Sequence, residues 1–177
     1  TGTTTLGNAT GDALTFTGGL GATSGAISAA GTINTTSQQM DLGDVTVTAT
    51  GQTLVLDTHT GGGALNIASI TGVAGGAKEN IQLISGTAAT TVTGNIGTDI
   101  NTITLQENAG TSTGAVDLQG SVAADTLTTF NRGYDVSLTG ATVAITNDTN
   151  FTNTGTTTLG NATADALTFT GGLGATS

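Results

Sequence analysis

Apolar side chains recur at every second position in short runs along this chain. Leu14-Thr15-Phe16, Val45-Thr46-Val47, Leu65-Asn66-Ile67, Ile103-Thr104-Leu105, Val116-Asp117-Leu118, Val136-Ser137-Leu138 and Val143-Ala144-Ile145 all follow this pattern. Each run points two apolar side chains one way and a polar or small one the other, as a half-buried strand requires. Gly, Asn and Asp between the runs supply turns. No stretch carries the i, i+3, i+4, i+7 stripe of a helix, and the abundant Gly and Thr are poor helix formers. The pattern predicts an all-β protein.

The order of the runs is repeated. Residues 1–24 read TGTTTLGNATGDALTFTGGLGATS, and residues 154–177 read the same except that Ala164 stands where the first copy has Gly11. The chain therefore reads as one tandem repeat, residues 1–153, followed by the start of the next, residues 154–177. Such arrays characterise quasi-one-dimensional proteins in which each unit contacts its neighbours. A weaker echo lies inside the repeat. Gly7-Asn8-Ala9-Thr10-Gly11-Asp12-Ala13-Leu14-Thr15 parallels Gly120-Ser121-Val122-Ala123-Ala124-Asp125-Thr126-Leu127-Thr128, and Gly94-Asn95-Ile96-Gly97-Thr98-Asp99 opens in the same way, which suggests that the unit grew from smaller turns of chain.

Two architectures accept many short strands. Tandem immunoglobulin-like β-sandwiches are one; a β-solenoid, with the chain wound into stacked coils, is the other. A sandwich core is about 10 Å thick and calls for large side chains. Here the aromatics are Phe16, Phe130, Phe151, Phe169 and Tyr134 alone. A solenoid interior is narrower, and Val, Ile, Leu, Ala and Thr fill it. Thr, Ser and Asn on its faces can hydrogen-bond along the stack. The expected fold is a right-handed parallel β-helix, the hand following the general preference for right-handed parallel crossovers. At roughly 20 residues per coil, and about 4.7–4.9 Å of rise, one repeat holds seven or eight coils and spans about 35 Å.

Segments such as Asp12-Ala13-Leu14-Thr15-Phe16-Thr17-Gly18-Gly19, Gly114-Ala115-Val116-Asp117-Leu118-Gln119-Gly120 and Thr154-Gly155-Thr156-Thr157-Thr158-Leu159-Gly160-Asn161 resemble the strand repeats of giant bacterial surface exoproteins. Filamentous-haemagglutinin-like adhesins and autotransporter passenger domains belong to that group. The resemblance implies a secreted or cell-surface fibre built as a right-handed parallel β-helix. The secretion signal and receptor-binding modules of such proteins would lie outside this stretch.

Composition narrows the chemistry. Thr (43) and Gly (29) dominate the 177 residues, and Pro, Cys and Trp are absent. Leu, Ile, Val and Phe stand near the level below which chains become disordered, but the net charge of −10 is thinly spread and the enriched residue, Thr, favours extended backbone. Lys78 and Arg132 are the only cations besides a single histidine, His59, so there is no basic footprint for nucleic acid or an anionic membrane. Without Cys, and with one His, neither a thiolate nucleophile nor a His-centred triad of the usual kind fits. No apolar run approaches the length of a membrane span, and no basic-then-apolar signal segment opens the sequence. Absence of Cys also suits a chain threaded unfolded across an outer membrane.

Candidate sites are sparse. Calcium would need clustered oxygens, and the nearest approaches are Asp41-Leu42-Gly43-Asp44 and Asn147-Asp148-Thr149-Asn150, which read better as turns. Gly18-Gly19-Leu20-Gly21-Ala22-Thr23 has the glycines of a calcium nonapeptide but lacks its Asp. Thr15-x-Thr17, Thr46-x-Thr48, Thr102-x-Thr104 and Thr168-x-Thr170 would order water for an ice face only if they stacked in register, and their spacings are irregular. Asn-x-Thr at Asn8, Asn34, Asn147, Asn150 and Asn161 would permit glycan attachment. Polysaccharide cleavage would need paired carboxylates or a basic group in a groove. Asp12, Asp99, Asp125 and Asp165 instead sit at expected turns, Lys78-Glu79 reads as a solvated loop, and His59 reads as a surface turn residue.

The expectation from sequence is a structural, non-enzymatic protein without catalytic, cofactor or metal residues. It would be part of a long extracellular tandem-repeat fibre, an adhesin stalk at a bacterial cell surface or in a biofilm matrix. Its partners would be neighbouring repeats, other fibres by lateral association, and a glycan or host receptor. The alternatives are a binding module whose exposed face meets glycan or ice, and a string of immunoglobulin-like spacers.

Overall fold

The computed structural model describes residues 2–48, 51–58, 61–97, 99–107 and 111–176; His59 lies outside them. Among the described residues there is no helix, and the chain winds as a β-solenoid with three strands to a turn. The first turn is β1 (Thr3–Leu6), β2 (Ala13–Thr15) and β3 (Leu20–Ala22). These three define the first, second and third faces. The second turn is β4 (Ala26–Ala29), β5 (Gly31–Asn34) and the front half of β6 (Met40–Val47), whose rear half opens the third turn. β7 (Thr53–Asp57) follows, and β8 (Leu65–Thr71) again runs around a corner from the third face to the first. The fourth turn is completed by β9 (Glu79–Ile84) and β10 (Thr90–Val92), and the fifth is β11 (Ile96–Gly97), β12 (Ile100–Leu105) and β13 (Val116–Leu118). β14 (Val122–Ala124), β15 (Thr126–Thr128) and β16 (Val136–Leu138) make the sixth turn, and β17 (Thr142–Ile145), β18 (Thr149–Phe151) and β19 (Thr157–Leu159) the seventh. β20 (Ala166–Phe169) and β21 (Leu173–Ala175) begin an eighth.

All strand pairs are parallel, each strand lying on the one a turn earlier. The turns are not uniform. Ile27 pairs with Val45, 18 residues on, whereas Leu54 pairs with Ile81, 27 residues on. All seven alternating runs read from the sequence lie on these strands, Phe16 sitting just beyond the end of β2.

Register turns each alternation into a ladder. On the first face Ile27, Val45, Ile70, Ile96, Val122 and Val143 stack inward. On the third face Leu42, Ile67, Val92, Leu118 and Leu138 do the same. These side chains are buried, and each removes apolar surface worth about 1.5–3 kcal/mol. The outward positions of the third face form a polar ladder through Asp41, Asn66, Thr91, Asp117, Ser137 and Thr158.

The two copies of the repeated segment fold alike but occupy different faces. In the first, Asn8 and Ala9 donate their backbone N–H groups to Asp12 Oδ2; in the second, Asn161 and Ala162 donate to Asp165 Oδ2. Gly7 and Gly160 share φ = 74°. Yet β1 and β2 lie on the first and second faces, whereas their counterparts β19 and β20 lie on the third and first. From β1 to β19 the chain makes six turns and passes two further faces. The expected seven or eight coils per repeat are therefore too many, because loops at the corners lengthen most turns beyond twenty residues.

The internal echo closes on equivalent places, since Asp12 and Asp125 directly precede β2 and β15 on the second face, but it opens on different ones. Gly7–Asp12 is a corner loop, whereas Gly94–Asp99 and Gly120–Asp125 carry strands β11 and β14. Ile96 and Val122 stand where the loop has Ala9, and those larger apolar side chains are buried.

Candidate functional site: corners, outward ladders and the open end

At the corner between the second and third faces the ladder bends, and carbonyl groups turn toward the interior. A buried polar group costs free energy unless it is paired. Thr35 Oγ1 donates to Gln38 O, and Thr58 Oγ1 donates to Gly63 O. Ser85 Oγ donates to Ala88 O (2.6 Å) and accepts from Thr90 Oγ1 (2.9 Å) and Gln106 Nε2 (2.9 Å). Gln106 also donates to Gly114 O (3.0 Å), while its Oε1 accepts from the N–H groups of Ser85 and Gly86, both at 3.1 Å. Two turns further on, Asn153 Nδ2 donates to Tyr134 O (3.1 Å). These side chains are buried and form a polar seam along one corner.

The remaining large polar group in this seam is Tyr134, fully buried. Its hydroxyl donates to Leu105 O (3.2 Å) and accepts from Phe130 N–H (2.9 Å). Burial raises its pKa above the ordinary value of 10.0, only partly offset by the hydrogen bonds from Phe130 and Thr129 and by the Arg132 charge.

At the corner between the third and first faces, glycines stack. Gly94, Gly120 and Gly140 follow one another, and a Cβ on any of them would overlap a backbone carbonyl one turn below: Ala68 O, Gly94 O and Gly120 O respectively. At this corner glycine lets chain lie directly on chain.

The carboxylates are spread out. Asp12 and Asp165 close corner loops, and Asp99 sits at a corner in the left-handed region (φ 64°). Asp125 pairs with Lys78 at 2.5 Å across a shallow groove lined also by Asp99, Ile100, Ala123 and Thr146. The loop reading of Lys78-Glu79 holds only for Lys78. Glu79 begins β9, is fully buried and accepts from Val73 N–H (3.1 Å), because it shares the inward phase of Ile81 and Leu83. Its Oε1 has no hydrogen-bond partner in the structure. Among the described residues no three His, Asp or Glu side chains converge as a metal site would need. Asp41 accepts from Asn66 Nδ2 (2.8 Å) and Gln39 Nε2, and Asp44 accepts from Ser69 Oγ (2.6 Å), so both serve the outer ladders.

The four Thr-x-Thr motifs fall on two faces. Thr15 and Thr102-x-Thr104 lie on the second, Thr46 and Thr168 on the first. Thr48 Oγ1 is buried without a partner. One pair is extended by a rung that the irregular spacing hides: Thr102 and Thr104 stack on Thr126 and Thr128. Of the Asn-x-Thr sites, Asn8, Asn147, Asn150 and Asn161 are exposed and Asn34 is half-buried.

The last turns expose the other notable feature. Among the described residues the exposed large hydrophobics are Leu159 and Leu173, the latter 51% exposed, both on the uncovered end of the stack. Compared with known proteins, the chain matches no family model, no curated protein and no solved structure.

Proposed function

We propose that this chain is a structural segment of a long extracellular rod, built from tandem 153-residue units and serving as a fibre or adhesin stalk at a bacterial cell surface. The observation that carries this reading is the relation between the sequence repeat and the open end. The repeated segment occurs twice, once near each end of the stack, and the two copies are covered on opposite sides. In the first copy β1 is covered by β4; in the second β19 rests on β16. Each supplies the half of a junction that the other lacks, and the apolar side chains left exposed belong to that junction. Covering sheet edges by further turns also removes templates for uncontrolled pairing.

The mechanism is mechanical. Backbone hydrogen bonds run along the rod, the aliphatic ladders resist bending, and the net negative charge disfavours non-specific association. The predominantly polar outer ladders are the surface on which a glycan, receptor or second fibre would act.

Chains carrying two, four and six units test this. Electron microscopy is expected to show rods of constant width whose length grows linearly, by about 32 Å per unit at about 4.8 Å per turn. Beaded or collapsed particles would reject a continuous rod.

A second reading, recognition of ice by a face, draws on the Thr102/Thr104 and Thr126/Thr128 array. Inhibition of ice recrystallisation that disappears when these threonines become Leu would favour it; inactivity of the parent chain would remove it.

A further inference from the structure

The open end of the stack is an interaction surface whose shape is set by the face shift between the two copies. We infer that it receives the next 153-residue unit turned by one face, so that the array has threefold screw symmetry; this rests on the tandem-rod reading. A first-face strand of one unit recurs on the third face in the next, as β1 and β19 do. A second-face strand recurs on the first, as β2 and β20 do, and a third-face strand on the second, as β3 and β21 do.

The shift is a property of the unit because it survives a change of surroundings. The loop closed by Asp12 joins the first and second faces; the same loop, closed by Asp165, joins the third and first. The next corner is also kept. Gly19 N–H donates to Phe16 O and Gly172 N–H to Phe169 O, both at 3.2 Å, although one pair turns from the second face to the third and the other from the first to the second. Loops that close through the same hydrogen bonds at two different corners each mean that the segment's fold does not depend on which corner it occupies. Both sides of the junction are therefore defined: the chain beneath it by the second copy, the chain above it by the first.

Six turns and two faces per unit give a rise of about 32 Å, and the same side chain returns to the same face only after three units, about 96 Å along the rod. Any feature of one face is thus presented on all three in succession. A ligand-binding patch becomes a single helical display with three successive azimuths, and lateral contacts between rods can form in three directions without a second patch in the sequence.

The chain contains no Cys, which makes a site-specific test direct. Ala123→Cys replaces an exposed, outward side chain on the first face. A chain extended by two further tandem copies of residues 25–177, with this substitution in each unit, is labelled with maleimide–gold and imaged by cryo-electron tomography. Labels at steps of about 32 Å and three successive azimuths 120° apart are the expected result. Labels along one side of a rod that keeps the 4.8 Å axial spacing would overturn the screw and leave the rod intact. Absence of the 4.8 Å spacing would overturn both. Unlabelled parent rods, reconstructed by helical averaging, give the same decision without the substitution.

Discussion

Gly120 lies on Gly94 so closely that a Cβ on Gly120 would overlap the Gly94 carbonyl group. Gly120 itself has ordinary negative φ, so the constraint is one of space and not of backbone conformation. Gly120→Ala is therefore expected to destabilise the solenoid by about 1–3 kcal/mol through forced separation of two turns. Gly11→Ala is the control, because a Cβ there meets nothing within 4 Å and the second copy already carries Ala164. That change is expected to be neutral or stabilising by up to about 1 kcal/mol. Chemical denaturation of the two variants checks both; equal losses would mean that the corner turns do not lie in direct contact.

Thr58 tests the polar seam. Its hydroxyl donates to Gly63 O inside the second-to-third corner, and Val has nearly the same shape without the donor. Thr58→Val leaves that carbonyl unpaired at a cost of about 1–3 kcal/mol. Thr32→Val, a half-buried outward position on the second face, is expected to change stability by no more than about 0.5 kcal/mol. A Thr58→Val chain as stable as the parent would show that the corner carbonyl finds another partner.

How far these features could be read beforehand depends on what the alternation records. Strand faces were legible because one face is buried and side chains alternate, as at Val116-Asp117-Leu118. The seam residues Thr35, Thr58 and Ser85 were missed, although each continues the inward phase of its strand: Ile33 to Thr35, Leu56 to Thr58, Leu83 to Ser85. Glu79 carries the same signal, in phase with Ile81 and Leu83, but the preceding Gly75-Gly76-Ala77-Lys78 drew it into a loop. The face shift was not legible. It depends on how many strands a unit contains, and strands such as Ile96–Gly97 and Thr3–Leu6 lack a pair of alternating large apolar residues. The Thr102/Thr104 and Thr126/Thr128 array was not legible either, because the rungs that join them are set by turn length.

Leu173 is half exposed on the last turn, and Leu20, its counterpart in the first copy, is partly covered by pairing with Met40. At high concentration the 177-residue chain is expected to associate end to end through this uncovered surface. Leu173→Asp places a charge there and should shift the concentration for association upward at least tenfold, with a smaller effect on unfolding than a change at a fully buried leucine, since half of the residue is already in water. Sedimentation velocity over a concentration series reads this. Association unchanged by Leu173→Asp would place the contact on a lateral face.

Tyr134 makes stability depend on alkaline pH. Burial favours its neutral form, so its folded-state pKa stands above the unfolded value of 10.0. Below that value both states hold the proton and the contribution is fully present. As pH rises past it, the unfolded chain releases the proton first, and stability falls until the folded-state pKa is passed. The expected record is a transition midpoint that is flat from neutral pH to about 9 and declines steeply above 10. Tyr134→Phe removes the ionisation and flattens that decline. It also starts lower, because Leu105 O and Phe130 N–H lose their partner, at about 1–3 kcal/mol. A variant with the parent's alkaline slope would assign the titration elsewhere and show that the ring reaches solvent.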